Sequence, residues 1–155
     1  MKKTFLFSVI ICLSLSVFGQ RIDTEAAIDN FTTQMAVFPQ EKIYIQSDKP
    51  YYIAGENMFF RIYLLNAQLN QPALFSRYVY VELINPLDSV VIRQQIRPEE
   101  LMFYGAMMLP ASLPQGNYTL RAYTRYMENF EERLFYTRSV FIANPNAVKF
   151  EMQTE

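Results

Sequence analysis

The chain contains no histidine and no tryptophan, one cysteine and only four glycines in 155 residues. Without histidine the commonest general base and metal ligand is gone. The lone Cys12 lies within an apolar run from Phe5 to Phe18, which follows Lys2-Lys3 and ends at Gly19-Gln20. This is the pattern of a secretory signal peptide. The run falls short of the ~20 apolar residues that a spanning helix needs. Cleavage is expected after Gly19, leaving a mature chain without cysteine, and so without a disulfide framework or a thiolate metal site. A lipoprotein signal would instead use Cys12, but the bulky Ile11 precedes it where that processing wants a small residue.

Charge of one sign is also lacking: the net charge is -1, with acids and bases interspersed, which gives no electrostatic footprint for nucleic acid. The acidic pairs Glu99-Glu100 and Glu131-Glu132 could in principle work as paired carboxylates or hold a hard cation. Adjacent turn carboxylates usually point apart into water, and no calcium-loop or phosphate-loop spacing accompanies them. No catalytic residue, metal ligand or cofactor is therefore expected, and the chain is not expected to be an enzyme.

What is present is a globular composition, 51% hydrophobic and 15% aromatic. About 135 residues remain after signal removal, enough for one ordinary domain. Four segments are expected: a signal peptide (1–19), an N-terminal arm (20–37), a β-domain (38–144) and a tail or start of a linker (145–155). In the arm Ala27, Ile28, Phe31 and Met35 recur at helical spacing, with Asp23 or Thr24 placed to cap a short helix. After Phe38-Pro39 the period changes to two, the mark of strands.

Strands are expected at Lys42–Gln46, Met58–Leu65, Tyr78–Ile84, Ser89–Arg97, Phe103–Leu109, from Tyr118, and at Leu134–Ile142, with a short extended Tyr51–Ile53. Met58, Phe60, Ile62 and Leu64 share a buried face. Asn85-Pro86-Leu87-Asp88 should turn the third strand into the fourth as a hairpin, and Gly105 should mark a bulge or a close backbone approach. Leu113, Gly116 and Tyr118 have the spacing of a tyrosine corner, in which a tyrosine hydroxyl bonds back to the backbone. About seven strands with turns every eight to twelve residues predict an all-β, immunoglobulin-like antiparallel sandwich. Arg61, Arg93, Arg97, Arg121, Arg125 and Arg138 are placed opposite the apolar rows, on a solvated face.

The stretch Glu41 to Glu56, with its Asp48-Lys49-Pro50 and Gly55-Glu56 turns, resembles the opening of the macroglobulin domain that comes second in alpha-2-macroglobulin-like proteins. Leu109-Pro110 and the stretch from Leu113 to Thr124 resemble that domain's late strand. The likeness covers Phe38 to about Asn144. It is especially similar to N-terminal domains of large Bacteroidota envelope proteins, which continue into further β-domains and often a TonB-receptor-type plug. The resemblance implies a macroglobulin-type sandwich whose role is structural. Protease trapping by thioester is outside this polypeptide acting alone, because it has neither the bait region nor a cysteine after signal removal. Since the chain ends at Glu155, a fragment, a split gene product or a minimal member are all expected possibilities.

The functional expectation is a non-enzymatic structural and interaction module of an exported cell-envelope protein, located in the periplasm, at the outer membrane or at the surface. Its expected partners are neighbouring β-domains or envelope proteins, with no membrane-spanning segment after signal removal. An endopeptidase inhibitor is the alternative. A glycan binder is a third reading, motivated by Tyr44, Tyr51, Tyr52, Tyr78, Tyr80 and Tyr104, although tyrosine is equally a favoured strand residue. The expected docking face displays Phe59, Tyr63 and Leu65, or its neighbour with Tyr78 and Tyr80, because both strands read as apolar on two sides; its cover is expected to be either another domain or the N-terminal arm carrying Ile28, Phe31 and Met35. Asp48, Lys49 and Pro50 are expected to be structural, Pro50 fixing the backbone and Asp48 bonding amides of its own turn.

Overall fold

The two periodicities of the sequence appear as a helix followed by strands. The computed structural model describes residues 24–73, 75–100 and 102–147; the expected signal peptide, Asp23 and the tail from 148 lie outside them. Helix α1 spans Thr24–Val37 and ends just before Phe38-Pro39, where the proline ring disfavours a helical conformation for its predecessor. The chain divides at this point into two compact units, one up to Phe38 and one from Pro39.

The second unit carries nine strands: β1 (Glu41–Ser47), β2 (Tyr51–Ile53), β3 (Asn57–Asn66), β4 (Val79–Ile84), β5 (Val90–Ile96), β6 (Pro98–Glu99), β7 (Met102–Met108), β8 (Gly116–Tyr123) and β9 (Tyr136–Ala143). Sheet 1 runs β1-β3-β7-β6 and sheet 2 runs β2-β9-β8-β4-β5. Alternation puts Ile43, Ile45, Phe60, Ile62 and Met107 of sheet 1 against Val79, Val81, Leu83, Leu120, Val140 and Ile142 of sheet 2 in one core. The expected β4–β5 hairpin forms, with Asn85 Oδ1 accepting from the Leu87 and Ser89 amides.

Nine strands replace the expected seven because two strands change sheet partway. β1 pairs with β3 in sheet 1, and after Asp48-Lys49-Pro50 the chain continues as β2, parallel to β9 in sheet 2. In the same way β5 pairs with β4 in sheet 2, and beyond Arg97 the chain continues as β6 against β7 in sheet 1. Each switch closes one side of the sandwich, and side chains complete the closure. The Tyr136 hydroxyl donates to the Ile45 carbonyl at 3.1 Å, Arg138 to Ser47 Oγ at 2.7 Å, and the Gln94 amide to the Ala106 carbonyl at 3.2 Å.

Two further local readings are corrected, and a third is decided between its two alternatives. β9 starts at Tyr136 because Glu132–Leu134 forms a 3-10 turn. Val90, which simple alternation would put on one side with Ile92 and Ile96, is exposed, since a bulge between Leu83 and Ile84 shifts its register. Gly105 is a close approach and not a bulge: the β3–β7 register runs unbroken, and a Cβ there would stand 2.3 Å from the Phe60 ring.

Candidate interaction surface

The sheet-switching segment gathers Asp48, Lys49, Tyr52, Gly55, Glu56 and Phe59 into one clasp. Asp48 Oδ1 accepts from the Tyr52 hydroxyl at 2.5 Å and from the Phe59 amide at 3.2 Å, and the Lys49 amide donates to the Tyr52 hydroxyl at 3.2 Å. Asp48 thus bonds across to β3 and β2, and not to amides of its own turn as expected. Lys49 pairs with Glu56 at 3.1 Å, and Glu56 also accepts from the Ile53 amide at 3.0 Å. The Ile53 amide, followed by Lys49, holds the Glu56 carboxyl below its ordinary range. Gly55 takes a positive φ of 96°, and its amide bonds the Leu109 carbonyl. Burial first, and then the bond to Asp48, pushes the Tyr52 phenol up to about 12.

At the other end of the sequence motif, the Tyr118 hydroxyl donates to the Pro114 carbonyl at 2.8 Å, with Leu113 buried and Gly116 opening β8. The Asn144 side chain donates to the Leu113 carbonyl at 2.7 Å. All these bonds are made within the β-domain.

The face that is left over is the outer side of sheet 1. Register places Tyr44 beside Tyr63, Arg61 beside Tyr104, Phe59 beside Ala106 and Asn57 beside Met108. Phe59 is 53% exposed, Tyr104 51%, Tyr44 57% and Met108 63%. Arg61 sits at the centre, its guanidinium 5.1 Å from the Tyr63 ring centroid and 5.4 Å from that of Tyr104. Its Nε is buried without a hydrogen-bond partner in the described structure. A shallow cleft of about 380 Å³ lies there, lined in part by Gln46, Asp48, Phe59, Arg61 and Tyr104. Sheet 2 presents a different outer side, with Thr119, Arg121, Thr137 and Ser139 at its centre. At its β2–β9 edge this side also exposes Tyr51, Ile53 and Phe141.

Of the expected docking residues, the structure brings together Phe59, Tyr63 and Leu65, with Tyr63 and Leu65 half-buried. Tyr78 and Tyr80 are not their neighbours, because β3 and β4 belong to different sheets. Tyr80 stacks on Tyr123 at 5.5 Å, and Tyr123 on Phe135 at 4.6 Å, on the outer side of sheet 2. The Tyr78 ring lies 5.2 Å from the Arg97 guanidinium.

That aromatic stack lies beside a fully buried carboxylate that the sequence reading missed. Glu82 accepts from Arg93 at 2.6 Å, from Arg121 at 2.7 and 2.9 Å, and from the Tyr123 hydroxyl at 2.9 Å. Burial would push its carboxyl up, but the bonds from Arg121, Tyr123 and Arg93 together hold it below the ordinary carboxylate range. Arg93 and Arg121 are therefore engaged by a buried acid and are not simply solvated. Arg138 shares the inner side of β9 with Val140 and Ile142, which corrects its expected placement. A second buried acid, Glu41, accepts from Ser76 and Thr124. Among the described residues no group of three or more histidine, cysteine, aspartate or glutamate side chains could hold a metal ion, and no helix is long and apolar enough to cross a membrane.

No family model matches the sequence, and no curated protein matches it. Solved structures do. The crystal structure of the Salmonella alpha-2-macroglobulin mutant Y1175G matches 66% of this chain at 17% identity with a TM-score of 0.55. The native Escherichia coli alpha-2-macroglobulin seen by cryo-EM matches 68% at 17% identity, again with a TM-score of 0.55. The match takes up 6% of each of those two chains, so this chain corresponds to a small part of their length. Trypsin-activated alpha-2-macroglobulin from Escherichia coli matches 68% of this chain at 16% identity and a TM-score of 0.55, over 7% of its own length. By its two sheets and by these likenesses, the chain has the immunoglobulin-like β-sandwich fold of a domain found in bacterial alpha-2-macroglobulins.

Proposed function

We propose that this chain is a non-enzymatic interaction module of an exported, multidomain cell-envelope assembly, of the Bacteroidota type that the sequence resembles, and that it docks through the outer face of sheet 1. The observation that carries the reading is the contiguous exposed surface of Tyr44, Phe59, Tyr104 and Met108 around Arg61. A freestanding antiparallel sandwich keeps its outer faces polar. Fully burying a side chain of this size is worth roughly 1.5–3 kcal/mol, so covering three half-exposed ones contributes about 2–5 kcal/mol to docking, with further contacts needed to meet the roughly 4–15 kcal/mol of lost rigid-body freedom. The signal-peptide pattern supports export. The small share of much longer chains taken up by this fold supports a role as one unit among several.

The experiment is dye binding and sedimentation on the mature chain from Gln20 onward and on its variant with Phe59→Thr, Tyr104→Thr and Met108→Thr. Threonine keeps strand propensity while removing the apolar surface. The mature chain is expected to bind a hydrophobic dye and self-associate, and the variant to do neither at an unchanged melting temperature. A dye-negative monomer from the starting chain would contradict the proposal.

A further inference from the structure

A second concave site lies where the two sheets meet at the β5–β6 switch. It is a cavity of about 320 Å³ whose apolar wall includes Ala73, Tyr78, Pro98 and Phe103 and whose charged lining is Arg77 and Arg97. Neither arginine has a carboxylate within ion-pair distance among the described residues, whereas Arg93, Arg121, Arg125 and Arg133 each do. The nearest acid by bonding is Glu41. It is 5% exposed and is held by Ser76, which lines the cavity, and by Thr124. Two cations thus share a mostly apolar recess with no exposed acid in its lining.

The site is built from fixed parts. Pro98 is paired to Phe103 across β6 and β7, and Phe103 is itself buried. The Arg97 guanidinium lies 5.2 Å from the Tyr78 ring centroid. A cation–π contact of this kind restrains the guanidinium while its N–H groups can meet a carboxylate in bidentate fashion. Volume selects the ligand further, since 320 Å³ is at the lower limit of small-molecule pockets. It has room for one large side chain and an adjoining carboxylate.

We propose that this cavity binds a carboxylate carried next to a single apolar group, with Tyr78, Pro98 and Phe103 against the apolar part and Arg97 and Arg77 on the carboxylate. Two sources share that chemistry, a free apolar monocarboxylate and the C-terminal residue of a peptide. The reading is independent of the sheet 1 face, because no residue is common to the two sites.

Calorimetric titration of the full chain tests it, with N-acetylphenylalanine, its amide, and a hexapeptide ending in phenylalanine as either acid or amide. Both acids are expected to saturate, with each amide at least about tenfold weaker, the share of a charge-assisted bidentate contact. Raising salt from low to physiological levels should weaken the acids and not the amides. Arg97→Gln should weaken both acids by about tenfold or more, and Arg125→Gln, whose guanidinium pairs with Glu128 and does not line the cavity, should change nothing. Arg77→Gln provides a second variant should Arg97→Gln lower the melting temperature. Tighter binding of the hexapeptide acid identifies a chain terminus as the source, and tighter binding of N-acetylphenylalanine a free acid. Equal binding of acids and amides, unchanged acid binding in both arginine variants, or no saturation up to about 10 mM, a range that still detects very weak binding, would overturn the proposal.

Discussion

The Tyr52 hydroxyl donates to the Asp48 carboxylate at 2.5 Å, joining the two sides of the segment through which the chain leaves sheet 1 and enters sheet 2. Tyr52 is fully buried and Asp48 also holds the Phe59 amide, so the carboxylate fixes the crossing from one end. Asp48→Ala is expected to cost about 1–2 kcal/mol, the range for a lost charge-assisted bond that leaves donors unpaired. Urea unfolding of the full chain measures it. A change below about 0.3 kcal/mol, less than a single weak bond contributes, would show that the clasp is ornamental.

The same phenol makes alkaline stability informative. With its folded value raised to about 12 from 10.0, Tyr52 contributes stability that is complete below pH 10 and is lost as pH rises toward 12. Tyr118, Tyr123 and Tyr136 are also shifted upward, each mainly by burial, and add to the same slope. Tyr52→Phe should flatten the decline measured between pH 9.5 and 11 by denaturant titration. An unchanged slope would place the Tyr52 ionisation elsewhere.

At the buried acid the sign reverses. The Glu82 carboxyl is held below 4.5 by its partners, so its contribution is present above that pH and lost as pH falls through the depressed folded value. Glu82→Gln should cost roughly 3 kcal/mol at pH 7, as expected for breaking a buried pair while leaving its partners in place. It should also make the remaining acid unfolding less steep. Arg121→Ala should cost more than Arg93→Ala, because the Arg121 side chain is 25% exposed and that of Arg93 59%. Equal costs would mean that exposure does not decide which arginine carries the pair.

Gly105 and Phe60 face each other across β3 and β7 with no room for a Cβ. Gly105→Ala should destabilise by about 1–3 kcal/mol through overpacking. Adding Phe60→Leu should recover part of that loss, because the clashing atoms belong to the Phe60 ring. A double variant no better than the sum of the two singles, in a thermodynamic cycle, would contradict this account.

Much of the fold was legible because side-chain direction alternates so regularly in the long strands. Met58, Phe60, Ile62 and Leu64 announce β3 and its buried face by composition alone. The sheet switches were not legible, since Tyr51–Ile53 and Pro98–Glu99 are too short to show a period and their sheet is set by partners far away in sequence. Alternation also assigns a face without telling what covers it. Glu82 alternates with Val81 and Leu83 in the sequence, but its burial depends on Arg93, Arg121 and Tyr123 arriving from two other strands. Arg138 was within reach of the sequence, as it shares parity with Val140 and Ile142. For the docking face, β3 itself gave Phe59, Tyr63 and Leu65, whereas Tyr44, Tyr104 and Met108 join them only through register.

The central claim, that the outer face of sheet 1 meets a partner, is tested most directly by site-specific photo-crosslinking in intact envelopes of the source cells. A crosslinking residue at position 104 should give a discrete adduct with a neighbouring β-domain or envelope protein, and one at position 137, on the outer side of sheet 2, should give none. Equal labelling from both positions, or from neither, would contradict the account.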